Sequence, residues 1–151
     1  RKRMYAMRKP GIIAIVAMSR PRALVTDGIA RGIALSERGR RLCRDVAMAE
    51  VENIATLMEA EPMGLQFGLL PSGEPTTRFQ ILRDRDRASL AINGHQADTM
   101  PAAAPGVAMI TAADEAITAH QRVAEAMWRE AVKGPAAARM VRQAAASMAL
   151  A

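Results

Sequence analysis

Apolar and polar positions along this chain follow two rhythms, one helical and one of period two, and the rhythm changes at Gly and Pro. After Pro10-Gly11, the run Ile12 to Met18 is continuously apolar and rich in β-branched residues. It is too short for a confident helix and is expected to form a buried central strand. Helical spacing then takes over, from about 21 to 35 with Pro21 in a first turn. A second helix is expected from Ser36, a good N-cap, to about 61, where Pro62 stops it. Cys43, Ala47, Val51, Ile54 and Met58 recur on one face of that second helix.

Three strand patterns follow. Residues 64–70 alternate Leu65, Phe67 and Leu69 against Gln66 and Gly68, residues 76–82 alternate again, and residues 89–93 form a third short run. Residues 71–75 read as a loop and 83–87 as a turn whose alternating Arg and Asp suit a solvated hairpin. Residues 94–105, with Gly94, Pro101 and Pro105, read as a surface loop, and 106–110 as a further strand. Thr111 is expected to open a helix with Asp114 completing a capping box. Ala113, Ala116, Ile117, His120, Ala124, Met127 and Ala131 keep helical spacing, Lys133 suits the helix C-terminus, and Gly134-Pro135 is expected to end the helix. An Ala-rich helix over 136–151, with Met140, Ala144 and Met148 on one face, is expected to pack on the body or on another chain.

The order is strand, two helices, four strands, two helices. It predicts an α/β fold, a mixed sheet flanked by helices. The expected divisions are a basic lead-in at 1–11, an α/β domain at 12–134 and a C-terminal helix at 135–151. The chain begins with Arg1 rather than Met, so an upstream segment, such as a DNA-binding domain, is expected.

Half of the residues are apolar but only 3% are aromatic, so Ala, Val, Ile, Leu and the 11 Met must build the core. Met serves as ordinary filler in such a core, with a pliable surface for a partner or ligand as the sharper reading. A single cysteine, Cys43, excludes a disulfide within the chain and any Cys-based metal cluster. No secretory signal pattern or membrane-length apolar run is visible, so a cytoplasmic location with no membrane partner is expected. Residues 1–44 hold 12 of the 21 Lys/Arg and two of the 15 Asp/Glu, so the net charge of +6 comes from a basic first third and an acidic remainder. Arg38, Arg40, Arg41 and Arg44 crowd the start of the second helix, the end at which the dipole disfavours cations. They are the candidate nucleic-acid contacts, with solvation as the other explanation.

Candidate chemistry is sparse. There is no Gly-rich phosphate loop and no nucleophile elbow. His95 and His120 are far apart, and neither has a second metal ligand at useful spacing, so no metal or cofactor is expected. His120, on an apolar helix face, is either a satisfied core histidine or a ligand contact. Few aromatics accompany the basic residues, which disfavours a stacking platform for single-stranded nucleic acid.

The stretch from Thr76 to Asn93 resembles the signature region of phospholipase D-like domains, in which a His, a Lys and an Asp along one strand are followed by Gly-Ser and an Asn. Thr76 stands at the His position, Arg78 at the Lys position and Arg83 at the Asp position. Leu90 and Ala91 replace Gly-Ser, and Asn93 matches the trailing Asn. Without an imidazole, Thr76 cannot form a phosphohistidine, so the resemblance implies a domain that is not an enzyme. Residues 106–111, followed by a helix carrying Met127-Trp128-Arg129, look similar to the end of such degenerate domains in bacterial helix-turn-helix transcriptional regulators. The resemblance implies a phospholipase D-like half-domain that pairs as a homodimer and lines a vestigial cleft with Arg78 and Asn93. It also implies sensing of a small-molecule or protein effector, and contact with DNA through an adjacent domain. A small basic nucleic-acid-binding protein is the alternative.

Overall fold

The computed structural model describes residues 11–27, 33–73, 78–93 and 108–149. The β-branched run forms β1 (Ile12–Ala17), which pairs in parallel with β2 (Leu65–Leu70). Parallel neighbours require a crossover. Two helices provide it, α1 (Ser19–Asp27) and α2 (Glu37–Ala60). The first crossover helix does not reach Leu35 as its spacing suggested, because residues 33–36 are not helical. Ser36 has to adopt extended backbone to cap α2, with φ −61° and ψ 161°, and its hydroxyl accepts the Gly39 N–H at 3.2 Å. At the other end Glu61 takes left-handed backbone, φ 41°, and Pro62 prevents continuation.

The remaining strands are β3 (Arg78–Asp84), β4 (Arg87–Asn93) and β5 (Ala108–Thr111), an antiparallel sheet in the order β3-β4-β5. Among the described residues the strands thus divide into two sheets, where the element order had suggested one mixed sheet. A physical reason is visible at β2. Leu69 N–H donates to the Val132 carbonyl at 2.8 Å and Val132 N–H returns the bond at 2.8 Å. The edge of β2 opposite β1 is therefore occupied at that point by the segment entering the last helix.

Helix α3 (Asp114–Glu130) follows β5 and packs on both sheets. Its first turn carries Asp114 and Glu115 and its last turn Arg129, each favourable to the helix dipole. Thr111 does not open the helix. It ends β5, and its hydroxyl accepts the Ala113 N–H at 3.1 Å, so the expected capping box is absent and Ala113 caps without a side-chain bond. Gly134 likewise belongs to the head of the next helix, α4 (Gly134–Ala149), with φ +59°. A β-carbon there would also lie 3.3 Å from the Glu61 carboxyl group.

The terminal helix contributes much of the core. Ala137, Ala138, Val141, Ala144 and Ala145 of α4 meet Val51, Ala55 and Met58 of α2, with Met18, Val25 and Leu69 completing the cluster. Small side chains on both helices allow close approach, because the contact residues set the interaxial distance. The α2 stripe read from sequence faces this core: Ala47, Val51 and Met58 are buried, and Cys43 and Ile54 are half-buried. Arg142 ties the rim together, donating to Glu52 at 2.9 Å and to Glu59 at 2.9 Å across the α2–α4 seam.

Candidate functional site

The strands are longer at the turn than the runs 76–82 and 89–93: Arg83, Asp84, Arg87 and Ala88 pair as well, so the expected turn at 83–87 narrows to Arg85-Asp86, with Arg85 in left-handed backbone at φ 51°. That tight turn sets the register, in which Asp84 is opposite Arg87 and Arg78 is opposite Asn93. The two residues separated by most of the hairpin's sequence are thus neighbours at its open end. Arg78 is half-buried and Asn93 exposed, and neither stands without a partner. Ala108 of β5 extends the same row, since it pairs with Asn93.

His120 is not part of this row. Its ring meets Phe79 edge-on, with centroids 5.0 Å apart and planes at 76°, and its Nδ1 donates to the Ala116 carbonyl at 2.8 Å. Successive strand residues point to opposite faces. Phe79 therefore turns toward α3, as does Arg83, which donates to Gln121, and Arg78 turns away. The histidine serves the contact between α3 and the sheet, and the sheet separates it from Arg78 and Asn93.

The outward face of the three-stranded sheet holds Arg78, Gln80, Leu82, Ser89, Ala91, Asn93 and Ile110. Leu82 is 56% exposed and Ile110 75% exposed, so apolar side chains share this face with the Arg–Asn pair, Ile110 nearer to it and Leu82 toward the turn.

The arginines at the head of α2 are arranged differently from what the dipole argument implied. Arg40 donates to Glu37 at 2.7 Å and to the Leu35 carbonyl at 2.8 Å, and Arg41 and Arg44 lie 3.7 and 4.0 Å from the same carboxylate. The hydrogen bond and charge of Arg40 hold the Glu37 carboxyl below its ordinary range. Much of the unfavourable charge at this helix start is met locally by Glu37, a pairing legible in the three- and four-residue spacing of Glu37, Arg40 and Arg41. Arg38 is exposed and takes no ion pair among the described residues.

One recess was not singled out from sequence. An open cleft of about 410 Å³ lies where β1 and β2 end, lined by Met18, Ser19, Arg22, Pro71, Ser72 and Gly73. The turn residues that follow both strands signalled it, because open α/β sheets place crevices at the carboxyl ends of parallel strands. Thr76 and His95 lie outside the described residues. Among the described residues no cluster of His, Cys, Asp and Glu could hold a metal ion, and no helix is long and apolar enough to cross a membrane. Comparison with known proteins found no matching family model, no matching curated sequence and no matching solved structure.

Proposed function

We propose that this chain is the non-catalytic, effector-sensing and dimerisation domain of a bacterial transcriptional regulator, a degenerate phospholipase D-like half-domain acting in the cytoplasm. The observation that carries the proposal is the in-register pairing of Arg78 with Asn93 at the open end of the β3–β4 hairpin. A guanidinium presents a planar fork of donors that fits a carboxylate or phosphate, and an adjacent amide adds both a donor and an acceptor. This pair is suited to gripping an anionic group while the apolar Leu82 and Ile110 contact the rest of an effector or partner. With Thr76 in place of a nucleophilic histidine, the pair has nothing to transfer a phosphoryl group to, so it binds without turnover. DNA is contacted by an adjacent domain, and effector binding is relayed through the dimer.

A thermal-shift screen of small phosphorylated and carboxylated metabolites tests this. A ligand that raises the melting temperature of the wild-type chain and not of Arg78→Ala is expected. Binding to the folded form at about a hundred times Kd adds ~2.7 kcal/mol, a shift of several degrees. A shift that survives Arg78→Ala but vanishes in Arg22→Ala would move the site to the cleft at the ends of β1 and β2, against the proposal.

The alternative, direct nucleic-acid binding, draws on the exposure of Arg38, Arg40, Arg41 and Arg44 along the first turns of α2. It requires duplex binding that weakens steeply with salt, since each neutralised phosphate releases counterions.

A further inference from the structure

We draw no further inference here: the strongest candidate, the open cleft at the carboxyl ends of β1 and β2 with Ser19, Arg22 and Ser72 in its lining, rests on the N-terminus of α1 with nothing else there that points to a ligand, and nothing among the described residues shows what covers it.

Discussion

The two halves of this molecule differ in how their side chains are used. In the half built from β1, α1, α2, β2 and α4, eleven buried residues form one cluster. In the half built from β3, β4, β5 and α3, Leu90 and Ile117 are the buried hydrophobics among the described residues. Both halves expose large apolar side chains, Ile12, Ile13, Leu42 and Val46 in the first and Leu82, Met109, Ile110 and Val123 in the second, so the difference lies in what is buried. Burial of apolar area stabilises a fold by about 25 cal/mol per Å², so the helical half holds the molecule together. Arg78 and Asn93 stand on the second half, at the hairpin end.

The largest test of this contrast is a matched pair of truncations. Leu69 and Leu90 are both completely buried, but Leu69 belongs to the large cluster and Leu90 to the half-covered sheet. Leu69→Ala is expected to cost about 3–5 kcal/mol and Leu90→Ala about 2–3 kcal/mol in urea unfolding, because a thinly covered site relaxes further around the cavity. Equal costs would erase the distinction. Next is Gly68→Ala, where a β-carbon would lie 2.8 Å from the Ala131 β-carbon and 2.9 Å from the Trp128 ring. The Ala131 β-carbon moves only with its backbone, and a loss of about 1–3 kcal/mol is expected from overpacking. Ser36→Ala removes the hydroxyl that caps α2 and is expected to cost ~1 kcal/mol.

The smallest expected effect is at the seam of the packed half. Arg142 holds the Glu52 carboxyl below its ordinary value of 4.5, chiefly through their hydrogen bond. A carboxyl whose pKa is lowered by folding contributes stability above its unfolded value and loses it as pH falls through the folded one. Wild type and Arg142→Ala are therefore expected to differ slightly at neutral pH and to converge in urea midpoints as pH falls below 4.5 and through the lowered folded value. A difference that grows on acidification would mean the pair does not act this way. Both partners are substantially exposed, so the effect stays below that of the core changes.

Much of the fold was legible in the sequence wherever local chemistry and long-range packing agreed. Ser36, Pro62 and the stripe from Cys43 to Met58 mark α2 closely, because caps and an apolar face are local signals. The hairpin was legible from two strand runs joined by a charged turn, but the turn reads as 83–87 from sequence, and the register that brings Arg78 to Asn93 follows only from the two-residue turn in the structure. Long-range choices were not legible. Nothing in residues 64–70 announces that Val132 takes the edge of β2. Gly134 is expected to end one helix and instead heads the next, since positive φ suits both places. His120 reads from sequence as a core histidine or a ligand contact, and strand alternation against Phe79 puts the sheet between it and Arg78 and Asn93.

Native-state hydrogen exchange, residue by residue, tests the division between halves most directly. Amides of α2, α4 and β2 are expected to exchange only through global unfolding, with protection that follows denaturant in parallel. Amides of β3, β4 and β5 are expected to exchange through smaller openings at lower free energy. Uniform global protection across both halves would contradict the account.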